Sequence, residues 1–393
     1  MLLKISYKNL LYNRTKLLMS LLLLASGSAV LLLVQRLEKN ADKQLAQNLA
    51  GIDMVLGAKG SPLQLILSAV YHIDDPTGNI SYAEAKQIAE NPAVENAIPM
   101  AYGDNFEGYR IIGTEQSYLD LYGVSYQEGE PWKETFEVCL GYDVAKRTGL
   151  IIGSQFLSSH GLSVSEKDPQ KHTQLYIVKG ILKKNNSIID RLVFTNLSSV
   201  WSMHQDADTN TSKKQITAML VKFKNKQALL NVPRSINDNT LMQAAVPSIE
   251  LNRLRYLLES GSKTLQLVGY ALLILAILSL MVTLLQLFED RKYELALLKA
   301  QGASFNKLIM LLFTENIMLA VPGWFLGELI ARIGFTIMNK NLNSSFHFTI
   351  NPLEITGMDF YLLGLLVFFA MITALLPVLR LKKLNVITIL SAN

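Results

Sequence analysis

The sequence predicts a membrane protein with four transmembrane α-helices and a large α+β extracytoplasmic domain on a helical stalk. Three observations carry this. Hydrophobic residues make up 50% of the 393 and mean hydropathy is +0.24, too apolar for an average soluble protein. Two runs, Leu17–Val34 and Thr264–Phe288, contain no charged residue and are long enough to span a bilayer. The formal net charge of +5 is uneven. Leu37–Ser262 carries 22 Lys+Arg against 25 Asp+Glu, so the basic excess lies beside the apolar segments. That distribution disfavours nucleic-acid binding, which needs a basic stripe on a folded surface.

Residues 1–16 read as a cytoplasmic amphipathic helix with Lys4, Lys8, Arg14 and Lys16. The n-region of a signal peptide fits the same residues, and Ala25–Ala29 is small enough to mimic a cleavage site. The first span covers 17–36. Residues 37–262 form the outer domain, large enough for a proper core. Its flanks, Gln35–Gln47 and Ser248–Lys263, are polar helical continuations of the spans and predict a stalk. Between them, Ile52–Leu56, Val94–Met100, Phe106–Ile112, Phe136–Leu140, Gln174–Leu182, Arg191–Thr195 and Gln215–Phe223 read as strands. Ser81-Tyr82-Ala83-Glu84 is a capping box opening a helix that ends near Asn91-Pro92. Ser154–Thr173, polar and containing Asp168-Pro169, reads as a loop or subdomain boundary.

The second span covers 263–288, the third 308–337 and the fourth 359–379, with a short outer loop at 338–358 and a cytoplasmic tail at 380–393. The third holds Glu315, Glu328 and Arg332, so these polar groups are expected to face protein or an interface. Glu328 and Arg332 are four apart and within pairing reach on one helix face. A proton or substrate path is the functional reading; packing and snorkelling is the favoured one. Gly323 and Gly327 form a Gly-x-x-x-Gly that permits close helix approach. Short basic flanks place both termini and residues 289–304 in the cytoplasm and 37–262 outside, in an inner (plasma) membrane protein.

Between the second and third spans lies Glu289-Asp290-Arg291-Lys292-Tyr293-Glu294-Leu295-Ala296-Leu297-Leu298-Lys299-Ala300-Gln301-Gly302-Ala303-Ser304. Good helix formers fill it. Leu295 and Leu298 are three apart, Gly302 suits the position after the last turn, and Ser304 suits the next cap. A solvated loop helix satisfies that spacing as well. The pattern Glu289, Arg291, Glu294, Ala296, Leu298, Lys299, Ala300, Gly302, Ala303 resembles the coupling helix of the FtsX/MacB-like (type VII, mechanotransmission) ABC transporter permeases. Leu295 stands where that family usually has Ile, and Lys299 where it has Arg. Asn9-Leu10, Asn13-Arg14-Thr15 and the Pro377, Arg380, Lys382-Lys383 ending resemble its termini, although Asn385-Val386 replaces the usual Asp-Pro.

The resemblance implies a permease subunit of the MacB/LolC type, not itself an enzyme. Residues 264–388 would be the FtsX-like permease domain and 37–262 the MacB-like periplasmic domain. Glu289, Arg291, Glu294, Leu295, Leu298, Lys299 and Gly302 would couple to an ATPase present in two copies. ATP and Mg would sit on that partner, with no cofactor on this chain. A second permease copy or paralogue completes the core, and a periplasmic adaptor or lipoprotein extends it. The work implied is export or the handling of lipoprotein and envelope substrates. A membrane-anchored sensor or scaffold without ATPase coupling is the alternative.

No residues support catalysis. Gly57-Ala58-Lys59-Gly60-Ser61-Pro62 lacks phosphate-loop spacing and reads as a glycine turn. Leu63–Tyr71 after it reads as core or as a lip touching cargo. Tyr71-His72-Ile73-Asp74-Asp75 offers too few ligands for a metal. His160, His172, His204 and His347 stand apart in the chain, so no metal site is expected. Cys139, the single cysteine, forms no intrachain disulfide and is expected to be a small buried residue.

Overall fold

The computed structural model describes residues 6–8, 14–161, 171–204, 214–345 and 357–382. It divides into two compact units, 42–257 and the pair of segments 1–41 and 258–393. Residues 6–8 are helical, while most of the predicted N-terminal amphipathic helix, the outer loop around His347 and the tail beyond Lys382 lie outside the described residues.

The chain opens with α1 (Arg14–Leu49), followed by the outer unit. There β1 (Met54–Ala58) leads through a turn to α2 (Pro62–Ala69). The turn has a local cause: Ser61 Oγ accepts from the Gln64 N–H at 3.4 Å and Pro62 begins the helix, where its missing N–H costs nothing. Gly57 packs closely under Leu65, whose side-chain end would have to move to admit a Cβ there. This is a strand-to-helix turn with no phosphate-loop geometry. Leu65, Ile66, Ala69, Val70 and Tyr71 are buried, so the apolar stretch beyond it is core. Then come β2 (Ile80–Ser81) and α3 (Tyr82–Ala89), the latter capped by Ser81 as its sequence predicts.

The remaining strands are β3 (Val94–Phe106), β4 (Tyr109–Gly113), β5 (Tyr126–Gly129), β6 (Glu137–Leu140), β7 (Gln155–His160), β8 (Lys171–Leu182), β9 (Val193–Thr195), β10 (Gln215–Ile216), β11 (Ala218–Phe223) and β12 (Met242–Ala245). Helices α4 (Gln116–Leu121), α5 (Tyr142–Thr148), α6 (Leu197–Met203) and α7 (Ala228–Asn239) lie between them. One half of the unit is the antiparallel run β12-β1-β11-β3. Its two faces follow from side-chain alternation. Val55, Leu220 and Ile98 enter one core, while Met54, Leu56, Met219 and Val221 enter another. In the other half, pairings run β3-β4-β9-β6-β8-β7 and back to β3, closing a six-strand circuit. Closure leaves no free edge within that ring. A third core gathers Val138, Leu140, Val144, Phe156, Tyr176, Val178 and Val193.

Two sequence expectations need correction. Ser154–Thr173 is not wholly loop: β7 and the start of β8 fall inside it. Gln155-Phe156-Leu157-Ser158-Ser159-His160 is polar, and the partners on both sides supply what its own composition does not. The strand expected at Val94–Met100 runs on to Phe106, bending at an irregularity between Tyr102 and Asp104. Cys139 is buried as expected, and burial pushes its thiol up to about 12.

The second unit is helical. Besides the start of α1 it contains α8 (Pro247–Asp290, shared with the outer unit), α9 (Lys292–Ala300), α10 (Phe305–Ser345) and α11 (Gly357–Lys382). Among the described residues, four helices are long and apolar enough to cross a membrane: Leu17–Leu49, Pro247–Asp290, Phe305–Met338 and Gly357–Arg380. Helices α1 and α8 run antiparallel. Ser20 Oγ meets Thr283 Oγ1 at 3.1 Å, a Cβ on Gly27 would press on Leu273 and one on Gly269 on Leu31, and Gln266 Nε2 donates to Glu38 at 2.9 Å. In the outer unit, Arg255 pairs with Asp42. The Gly323/Gly327 pair is the contact face of α10 against α1. A Cβ on Gly327 would overlap Ser28 Oγ and stand 2.8 Å from the Ala25 carbonyl, and one on Gly323 would stand 2.8 Å from Leu24 Cβ. In lipid such close approach gives helices the dispersion contacts that the hydrophobic effect cannot supply.

Gly327→Ala is therefore expected to lower the detergent-solubilised melting temperature, at an overpacking cost of about 1–3 kcal/mol. Gly364→Ala, where a Cβ meets nothing within 4 Å, should leave it unchanged or slightly raised. Equal effects of the two would refute the packing assignment.

Candidate functional site

The charged stretch between the second and third spanning helices folds as a short helix with both ends fixed. At its start, α8 ends at Asp290 and Arg291 occupies the cap position of α9. Arg291 makes no cap bond. Its Nη1 instead donates to Glu315 Oε1 at 2.8 Å, and its Nε lies 3.4 Å from Glu294 Oε2. Glu315 belongs to α10 and its side chain is 1% exposed. At its end, Gly302 has φ +89°, the Gly302 N–H bonds the Lys299 carbonyl at 3.2 Å, and the Ala303 N–H bonds the Leu298 carbonyl at 3.0 Å. These two reversed bonds form a Schellman ending, and the left-handed residue within it is the one position glycine alone fills without strain. Ser304 then begins the next helix, its carbonyl accepting from the Lys307 and Leu308 N–H groups.

Burial separates the sequence-selected residues into two sets. Leu295 and Ala296 pack with Phe288, Leu308, Leu311 and Leu312. Leu295 is 1% exposed and anchors the helix in that cluster, whereas Leu298 is exposed. Positions three apart on a helix are offset by about 60°, enough to put one inside the packed stripe and the other on its rim. Tyr293, Glu294, Leu297 and Leu298 are exposed and Lys299 is half-buried. Glu289 faces α11, where Arg380 Nη1 donates to it at 3.1 Å, and it also lies 3.7 Å from Lys292.

The third-span acids find cations. Glu328 Oε1 accepts from Arg332 Nε and from Arg36 Nη2, both at 2.6 Å. Arg36 also lies 3.2 Å from Asp359. Glu328, Arg332 and Asp359 border a cavity of about 400 Å³ with Trp324, Phe325, Leu329 and Phe360. Sequence reading found Glu328 and Arg332 but missed Arg36 and Asp359, which sit at the ends of the first and fourth spans where a charge is unremarkable. Earlier along α10, next to Glu315, Asn316 Nδ2 donates to the Ala370 carbonyl at 2.6 Å and ties α10 to α11.

In the outer unit, His72 is buried against Tyr118 with Nε2 3.1 Å from its hydroxyl, while Asp74 and Asp75 are exposed and do not converge on it. The other described histidines are not isolated, contrary to their spacing in the chain. His160, His172 and His204 gather around Asp104, a residue that sequence reading passed over.

With this geometry in view, the class is a permease component of ABC transporters. The MacB-like periplasmic core domain matches residues 22–238 and the FtsX-like permease C-terminal domain matches residues 267–386, so the chain belongs to the FtsX/MacB-like permease family. Among solved structures it is similar to the periplasmic region of MacB from Actinobacillus actinomycetemcomitans, with 13% identity, 54% of this chain and 97% of that one covered and a TM-score of 0.35. It is also similar to the extracellular domain of the noncanonic ABC-type transporter YknZ from Gram-positive bacteria, at 12% identity, 49% and 98% coverage and TM-score 0.31. A domain of a putative permease from Porphyromonas gingivalis follows, at 15%, 50%, 90% and 0.29. No curated protein matches the chain.

Arg291→Met removes the guanidinium beside a buried carboxylate, and breaking such a pair costs about 3–5 kcal/mol. Its expected signature is a lowered melting temperature that Glu315→Gln in the same chain partly restores. Additive losses in the double variant would show that the two groups are not coupled.

Proposed function

We propose that this chain is a MacB/LolC-type permease whose helix α9 receives force from an ATPase. Two copies of that ATPase, carrying ATP and Mg, bind beneath a pair of permeases, the second being an identical copy or a paralogue. The observation that carries the reading is the split personality of α9. Its inner face is locked by Leu295, Ala296 and the Arg291–Glu315 pair, while Tyr293, Glu294, Leu297 and Leu298 are offered outward. An exposed solvated loop helix has no need of a buried ion pair at one end and a Schellman lock at the other. Short basic flanks support an orientation with both termini and α9 in the cytoplasm and 37–262 outside.

Closure of the ATPases displaces α9 and the N-terminal segment. Because α9 is anchored on both α8 and α10, the displacement passes into spanning helices that keep their hydrogen bonds within themselves. Helices α1 and α8 each contain residues of both units without a break, which gives the motion a route to the outer domain. The cargo class is an exported or envelope substrate, lipoproteins included, with a periplasmic adaptor or lipoprotein as an outer partner.

The test is co-purification of the full chain with its ATPase and measurement of coupled hydrolysis. Gly302→Pro cannot adopt φ +89° and should abolish coupling, while Glu294→Lys and Leu298→Asp should each reduce it about tenfold or more with membrane insertion intact. Full function in all three, or complexes that never contain an ATPase, would favour the sensor or scaffold alternative.

A further inference from the structure

The geometry points to a divalent transition-metal site, zinc by its donor set, formed by Asp104, His160, His172 and His204 in the outer unit. The four come from separate elements: Asp104 from β3, His160 from the end of β7, His172 from β8 and His204 from the residue after α6. The fold delivers them by strand register. Asp104 and His160 are direct partners in the β3–β7 pairing, so their side chains leave the same face. The β7–β8 pairing sets Ser159 opposite Lys171, bringing His172 alongside. Gly161, at φ +95°, turns the chain after His160, and Asn105 Nδ2 holds that turn by donating to the Gly161 carbonyl at 2.8 Å.

Three ring nitrogens surround one carboxylate oxygen. Asp104 Oδ1 lies 3.1 Å from His172 Nε2, 3.3 Å from His204 Nε2 and 3.6 Å from His160 Nδ1. All four donor atoms fall within 4.8 Å of one another. The three rings stand mutually edge-on, with centroids 5.4–5.9 Å apart. A tetrahedral zinc with bonds of about 2.0–2.1 Å requires donor atoms about 3.3–3.4 Å apart. The distances from Asp104 already match that edge, and the histidine nitrogens need only small side-chain rotations to close around a cation. Hydrogen bonding alone explains the arrangement poorly. His172 and His204 use the two lone pairs of Asp104 Oδ1, and His160 Nδ1, at 3.6 Å, is left outside hydrogen-bond distance. Meanwhile Asp104 Oδ2 is buried with no hydrogen-bond partner. A cation at the centre takes one lone pair from each of the four donors.

Three imidazoles and a carboxylate suit zinc better than calcium or magnesium, which prefer all-oxygen shells. Four protein donors leave no open position, which is the mark of a structural site. Asp104 is buried at the floor while the His160 side chain is 58% exposed, so an ion has a path in from solvent. Bound there, it would staple β3, β7, β8 and the end of α6.

The experiment uses the full chain in detergent, purified without a histidine tag and stripped with a chelator. Zn²⁺ alone is titrated calorimetrically, and Co²⁺ is added separately as a visible-absorption probe. One Zn²⁺ per chain, a raised melting temperature and the intense absorption of tetrahedral cobalt are expected. Asp104→Asn and the double variant His172→Ala/His204→Ala should each weaken Zn²⁺ binding at least about tenfold. Failure of the unsubstituted chain to bind Zn²⁺ at one per chain overturns the proposal, as does binding that both variants leave unchanged. An octahedral cobalt spectrum overturns the four-donor geometry.

Discussion

One ion pair organises the helical unit around its short linking helix: Arg291 reaching 2.8 Å to a carboxylate on the next spanning helix. Glu315 is expensive where it stands, nearly three turns into an apolar helix, unless a cation meets it. Arg291 is the residue at which α8 stops and α9 begins. The cost of burying the acid therefore becomes a constraint on where the chain turns. With the turn held, Leu295 and Ala296 can reach the Phe288–Leu312 cluster, and the opposite face of α9 is left to solvent. The Schellman ending at Gly302 fixes the other side of the same short helix.

The same logic governs the second polar cluster. Glu328 has two guanidinium partners and Asp359 lies beside one of them. Arg36 ties Glu328 to α1, and Arg332 pairs with it along α10. Two arginines facing two acids leave the group formally neutral. This favours packing and orientation of the first, third and fourth helices over a conduction path. It also explains why the close Gly327–Ser28 approach is needed, since Arg36 must come within 2.6 Å of Glu328 on another helix.

Local signals made the helical unit and the general α+β character legible. Long apolar runs gave the four spans, Gly302 announced its own left-handed turn, and the Ser81 cap opened the helix it was expected to open. What stayed hidden depends on partners distant in the chain. The strand β7 has little strand character of its own and exists because β3 and β8 pair with it. Leu295 and Leu298 differ only by which side of a 60° offset meets the cluster. Arg36 and Glu328 are 292 residues apart, and no periodicity links them.

The histidines show this limit most sharply, and show why it matters. A metal site is usually read from ligands at short fixed spacings, because a helix or a hairpin turn presents them together. Here the positions are 104, 160, 172 and 204, and convergence is created by a closed circuit of strands. Each donor would be unremarkable alone: an aspartate mid-strand and three histidines beside polar residues. Placed together they crowd three ring nitrogens onto one oxygen in a part of the outer unit whose own core is built from the same strands. Ring closure gives β3, β7 and β8 a fixed mutual register, and register is what a four-donor site demands, since a one-residue slip would turn Asp104 or His160 to the opposite face.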